Sequence, residues 1–146
     1  MLERFAMIKI TKETSVSIDD VLHLYQAVGW TNYTNQPQML EQALSHSLAS
    51  YVARDDEKIV GLVRLIGDGF SSVFVQDLLV LPSYQRQGIG SFLMKQALAD
   101  YKDAYQVQLA TEETEKTLGF YRSLGFQTLS SFQCTGMILV DRKKFK

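Results

Sequence analysis

Gln85-Arg86-Gln87-Gly88-Ile89-Gly90 sets an arginine and two amide side chains beside two glycines in six consecutive positions. Such a stretch suits an anion. Glycine has no Cβ, so a phosphate can approach its backbone N–H closely, and Arg86 can add a charge-assisted contact. The flanking residues give the stretch its setting. Upstream, Gln76-Asp77-Leu78-Leu79-Val80-Leu81 reads as a buried strand whose hydrogen-bond ladder ends at Pro82. Downstream, Ile89, Phe92, Leu93, Ala97 and Tyr101 recur at helical spacing, a stripe that should lie against a sheet. The glycines therefore open a helix, where the first N–H groups lack intrahelical partners and the helix dipole favours negative charge. Two other phosphate motifs are excluded. A P-loop needs Gly-Lys-Ser/Thr after its second glycine, and a dinucleotide fingerprint needs a small residue where Leu93 stands.

The rest of the chain supplies a scaffold for that strand, turn and helix. Phe5 to Ile10, running on through Thr11, reads as a first strand. Ser17 caps a helix carrying Ile18, Val21, Leu22 and Tyr25 and ending near Gly29. Periodicity then lapses from Trp30 to Gln36, and Pro37 begins a second helix with Leu40, Ala43, Leu44, Ser47 and Leu48 on its stripe. Tyr51 to Arg54, Ile59 to Ile66 and Ser72 to Leu81 read as an antiparallel meander. After the central helix, Gln106 to Ala110 should run parallel to its predecessor, since a helical crossover joins them. Thr114 caps a last helix that Gly125 ends, and Phe126 to Leu129 and Thr135 to Val140 read as two closing strands. The expected order is βααβββαβαββ.

Composition bounds the function. A chain of 146 residues holds one full core, so residues 1–146 are expected to form a single domain. The net charge of −1 gives no footprint for nucleic acid or an anionic membrane, and Arg142 to Lys146 is too short a basic tail to change that. No apolar run approaches the ~20 residues of a membrane span, and the start lacks a signal peptide's apolar segment. One cysteine, Cys134, forms no internal disulfide, and a cytoplasmic location is the expectation. With two histidines, His23 and His46, a zinc site is poorly supplied, and no metal is expected.

The six-residue stretch resembles the Gln/Arg-x-x-Gly-x-Gly/Ala pyrophosphate loop of the GCN5-related N-acetyltransferases, the GNAT superfamily. The order of elements is similar to the GNAT order throughout, which implies an α/β (α+β) fold with a mixed, mostly antiparallel sheet flanked by helices. Leu118-Gly119-Phe120-Tyr121-Arg122-Ser123-Leu124-Gly125-Phe126 resembles a second family segment, Ala-x-x-Phe-Tyr-x-x-x-Gly-Phe, matching at Phe120, Tyr121, Gly125 and Phe126 and departing at Leu118 and Gly119. Val28-Gly29-Trp30 and Gly67-Asp68-Gly69 look more loosely like a small bacterial branch and the plastid enzymes that acetylate arylalkylamines and protein amino groups.

The resemblance implies acetyl-coenzyme A as cosubstrate. Gln85, Arg86, Gln87, Gly88, Ile89, Gly90 and Ser91 would hold its pyrophosphate, and the main chain of Leu79, Val80 and Leu81 its pantetheine arm. It also implies that Tyr121 reaches the coenzyme A sulfur, which would suit a general acid. Asp77, a carboxylate in an apolar strand, is either the base for the attacking ammonium or a structural group paired by hydrogen bonds. Trp30 and Tyr33 either receive the acceptor or plug the edge of the core. The acceptor expected is a small-molecule amine or a peptide amino group, and a homodimer is compatible with the chain. The competing class is a non-catalytic acyl-coenzyme A binding module on the same fold.

Overall fold

The computed structural model describes residues 7–141, so Phe5, at the expected start of the first strand, and the basic residues 142–146 lie outside it. Contacts among the described residues group into two compact units that divide between Leu109 and Ala110.

The first unit is built on a five-stranded sheet in the order β1-β2-β3-β4-β5. Its strands are β1 (Ile8–Glu13), β2 (Ala49–Asp55), β3 (Lys58–Gly67), β4 (Ser72–Val80) and β5 (Gln106–Leu109). Neighbours from β1 to β4 run antiparallel, and β5 runs parallel to β4, as the helical crossover requires. Near-continuous burial along β2 and β3 shows that both faces of the sheet centre are covered.

Helix α1 (Ile18–Ala27) starts where expected, with Ser17 accepting a hydrogen bond from the Asp19 N–H, and it buries Val21, Leu24 and Tyr25. The aperiodic stretch after Gly29 winds into one further turn, α2 (Thr31–Thr34), too short for periodicity to reveal. Pro37 occupies the first turn of α3 (Pro37–Ser45), where its missing N–H costs no hydrogen bond.

The strand before the anion-ready stretch ends as Pro82 dictates, and Pro82–Tyr84 form a single 3₁₀ turn. The central helix α4 (Ile89–Asp100) then packs on the sheet through Ile89, Leu93, Met94 and Ala97. Burial stabilises each of the three large side chains by about 1.5–3 kcal/mol. Phe92, expected on that face, is turned outward at 47% exposed, and Met94 takes its place. The close approach depends on Gly61 in β3. A Cβ there would stand 3.1 Å from Leu93 Cδ1, 3.3 Å from Ile89 Cγ2 and 3.3 Å from the Leu79 carbonyl oxygen.

The second unit begins with α5 (Glu115–Ser123), capped by Thr114, whose Oγ1 accepts from the Thr117 N–H at 3.1 Å. Gly125 ends it at φ 99°, donating its N–H to the Arg122 carbonyl. The two strands expected beyond it do not form. Phe126 donates its N–H to Tyr121, and Leu129–Phe132 is a 3₁₀ turn stopped by Gln133 at φ 55°. Thr128 Oγ1 lies 3.0 Å from Ser130 Oγ and 3.1 Å from Ser131 Oγ, so local hydrogen bonds replace a ladder there. Thr135 to Val140 has the composition of a strand, but no described residue pairs with it. Without a neighbouring edge, strand propensity creates no strand.

Candidate active site

The anion-ready stretch forms a tight turn between two anchors. Gln85 donates its side-chain Nε2 to the Val80 carbonyl at 3.0 Å, closing the chain back onto the end of β4. Arg86 and Gly88 both take positive φ, 65° and 83°. Glycine does so freely; for Arg86 the left-handed region costs roughly 1–2 kcal/mol. Two left-handed residues so close together curl the backbone, and Gly88 becomes the N-cap of α4. The first bond of the helix runs from the Phe92 N–H to the Gly88 carbonyl at 3.0 Å, so the N–H groups of Ile89, Gly90 and Ser91 precede the intrahelical ladder. Gln87, Gly88, Ile89, Gly90 and Ser91 therefore bring backbone donors to the positive end of a twelve-residue helix, with Arg86 exposed beside them.

Next to this turn, β4 runs on beyond its described pairing with β5. Its pairing with β5 covers Ser72 to Val75 only, whereas its pairing with β3 continues to Val80. The Leu81 N–H donates to the Val60 carbonyl at 2.9 Å. Alternation in an antiparallel ladder then turns the main-chain groups of Leu79 and Leu81 toward β3 and those of Leu78 and Val80 outward. Of the three residues expected to line a pantetheine arm, Val80 alone has its main chain on the open edge. Leu78 stands on that edge as well, which depends on the register with β3 and not on side-chain alternation.

Asp77 lies at a bulge. Arg64 pairs with Asp77 and Leu65 with Val75, which leaves Gln76 as the extra residue of β4, at the point where pairing with β5 stops. The Asp77 carboxylate is 2% exposed and fully engaged. Its Oδ2 accepts from Arg64 Nε at 2.7 Å and Tyr25 Oη at 2.8 Å, and its Oδ1 accepts from Tyr33 Oη at 3.0 Å. Arg64 reaches on to Ser47 Oγ at 3.2 Å and to Tyr33 Oη at 3.3 Å. Burial first, and then the Asp77 charge, push both phenols above their ordinary value, so they remain hydrogen-bond donors. For Arg64, burial pulls the pKa down, but the charge and hydrogen bond of Asp77 together with the Tyr25 and Tyr33 phenols more than offset it, and the net shift is upward.

Tyr33 is thus brought into contact with Asp77, and its ring is 8% exposed. Trp30 is half-buried, with ring centroids 6.1 Å from Tyr25 and 6.3 Å from Tyr33. Tyr33 plugs the core, and Trp30 shows part of its surface. Of the residues around Asp77, Tyr25 and Ser47 carry no local sign of their partners in the sequence. A charge inside an otherwise apolar strand, Arg64 in β3, was the one hint that Asp77 had a mate.

Tyr121 belongs to the second unit. Its ring packs edge-on against Phe120 at 5.0 Å and Phe126 at 5.9 Å, and burial raises its phenol above the ordinary range. An open cavity of about 370 Å³ in the same unit is lined by Arg122, Gly125, Phe126, Gln127, Thr128 and Ser131, none of them expected in the site.

The family can now be stated. Residues 46–128 match the model of the acetyltransferase (GNAT) domain, and the chain belongs to that family. A solved GNAT family acetyltransferase from Streptococcus pneumoniae TIGR4 is 69% identical, with a TM-score of 0.86 over 93% of this chain and 99% of that one. GCN5-related N-acetyltransferase 1, chloroplastic, of Arabidopsis thaliana is 26% identical over 90% of this chain, and serotonin N-acetyltransferase 2, chloroplastic, of Oryza sativa subsp. japonica is 29% identical over 77%. The chain spans 66% and 58% of the lengths of these two plant proteins. The fold is accordingly that of the GNAT acetyltransferases, and the family implies acetyl transfer dependent on an acyl-coenzyme A.

Proposed function

We propose that the protein is an acetyl-coenzyme A-dependent N-acetyltransferase that moves an acetyl group to a primary amine of a small molecule or peptide by direct attack on the thioester. The carrying observation is the turn of residues 85–91, curled by Arg86 and Gly88 at the start of α4, beside the stretch of β4 left open beyond β5. The residues suit coenzyme A. Backbone donors and Arg86 match a pyrophosphate, and the outward N–H groups of Leu78 and Val80 match an extended amide chain.

Acetyl-coenzyme A supplies the activated carbonyl. The chain must then orient it, stabilise the developing oxyanion and return a proton to the departing thiolate. An outward N–H of β4 would face a carbonyl oxygen laid along that edge. Tyr121, named by its place in the Phe-Tyr segment and kept protonated by burial, is the candidate acid. Asp77 is best read as a structural carboxylate, because all its observed contacts are to donors within the core. Deprotonation of the ammonium then falls to water. Trp30, half-exposed, is the stronger of the two candidates for an acceptor contact, and the serotonin N-acetyltransferase relative makes arylalkylamines the first acceptors to try.

Calorimetric titration with coenzyme A, and thiol release from acetyl-coenzyme A over a panel of serotonin, polyamines, aminoglycosides and peptides, test the proposal. Binding at micromolar concentration that Gly88→Asp abolishes in folded protein, with turnover on at least one amine, is the expected result. Tyr121→Phe should then lower turnover by roughly 10²–10⁴-fold if protonation of the thiolate limits the rate, with coenzyme A affinity unchanged. Binding without turnover on any amine would favour the non-catalytic binding module instead.

A further inference from the structure

We propose that the hydrogen bond from Tyr84 to Asp55 holds the phosphate-binding turn in its working conformation, which makes Tyr84 and Asp55 positioning residues for coenzyme A; this rests on the coenzyme A reading above. Tyr84 ends the 3₁₀ turn immediately before Gln85. Its side chain is directed not toward the turn but into the protein, where the residue is 7% exposed and its Oη donates to Asp55 Oδ2 at 2.5 Å. Asp55 ends β2, and its register partner Lys58 begins β3, so the acceptor belongs to a tight hairpin fixed in the sheet. Lys58 Nζ stands 6.0 Å from the centre of the Tyr84 ring and clasps it from that same hairpin.

The turn needs such an anchor. Arg86 sits in the left-handed region, which an L residue adopts only when the surrounding structure overdetermines it. On the far side the overdetermination is plain: Ile89 and Leu93, 1% and 0% exposed, pack over Gly61. On the near side, the turn itself is held by the Gln85 N–H to the Pro82 carbonyl at 3.3 Å and by the Gln85 side chain on Val80. Through its side chain Tyr84 ties the turn to the β2–β3 hairpin, 29 positions earlier in the chain. Without its bond, Arg86 can relax out of positive φ and the donors from Gln87 to Ser91 lose their common aim, although β4 and α4 remain. Neither Tyr84 nor Asp55 need touch the ligand, so their effect acts wholly through the turn.

The test is calorimetric titration of the full chain with coenzyme A, alongside thermal unfolding. Tyr84→Phe and Asp55→Ala should each weaken binding about tenfold, and the double variant no further, since both remove the same bond. Asp55→Asn keeps an acceptor oxygen without the charge and should lose about threefold. Tyr51→Phe is the control: it removes a comparable bond, to Asp100 Oδ2 at 2.6 Å at the end of α4, and should lower the unfolding temperature while leaving affinity intact. Wild-type affinity in folded Tyr84→Phe, or losses that add in the double variant, would overturn the positioning role. Should Tyr84→Phe fail to fold, Asp55→Asn decides, and an unchanged affinity there overturns it as well. Absence of coenzyme A binding by the wild type would instead overturn the reading on which the inference rests.

Discussion

Asp77 shows how a single side chain takes its meaning from its neighbours. An acid inside an apolar strand is either a base held ready or a charge that has been neutralised in place, and the sequence admits both. Three donors meet it in the core. Arg64 and Asp77 are both nearly inaccessible, at 4% and 2%, so removing one charge leaves the other stranded where water cannot reach it. Asp77→Asn is therefore expected to destabilise the fold by about 3–5 kcal/mol, measured by urea denaturation. Replacing Arg64 and Asp77 together by Met and Leu should cost much less, because no unpaired charge remains. A loss below about 1 kcal/mol for Asp77→Asn would show that the pair is not energetically buried and would restore Asp77 as a candidate base.

The elements were more legible than their ends. Capping and periodicity located α1, α3, α4 and α5, because Ser17, Pro37, the glycines and Thr114 act through local chemistry. The meander and its parallel fifth strand followed from segment order. The anion-ready turn was visible because its donors are contiguous in the chain. The outward main chain of Leu78 was not legible because it depends on register, nor were the contacts of Arg64, Tyr84 and Asp55, because their partners lie far off in sequence. Phe126 to Leu129 and Thr135 to Val140 were misread since apolar composition is a condition for a strand and a partner edge is the other. Gly61 also escaped notice: nothing marks it locally, yet it sets the height of α4 above the sheet. Gly61→Ala should push Leu93 and Ile89 outward, cost about 1–3 kcal/mol in thermal or urea unfolding, and weaken coenzyme A binding by moving the N-terminus of α4. Wild-type stability in that variant would mean that the helix gives way freely.

Taken as a whole, the molecule should respond to alkali through its buried phenols. Tyr25 and Tyr33 are both raised above the ordinary value of 10.0, with burial as the largest cause. Above that value an unfolded chain releases these protons while the folded chain keeps them. The stability they contribute is thus complete below pH 10 and is lost as pH rises toward their folded values, at about 1.4 kcal/mol per pH unit for each phenol. Urea denaturation at a series of pH values from about 9 to 11 measures the slope, and Tyr25→Phe should flatten it by one phenol's share. An equal slope in that variant would place the alkaline transition elsewhere. The short fifth strand has a consequence of another kind. Beyond Val75 the fourth strand turns the main-chain groups of Leu78 and Val80 away from β3 with no described strand partner, the sort of template on which foreign backbone can dock. If a cosubstrate lies along that edge, as proposed, it doubles as a chaperone against self-association. Protein stripped of cosubstrate would then be the form that clumps, and shelf life would track occupancy.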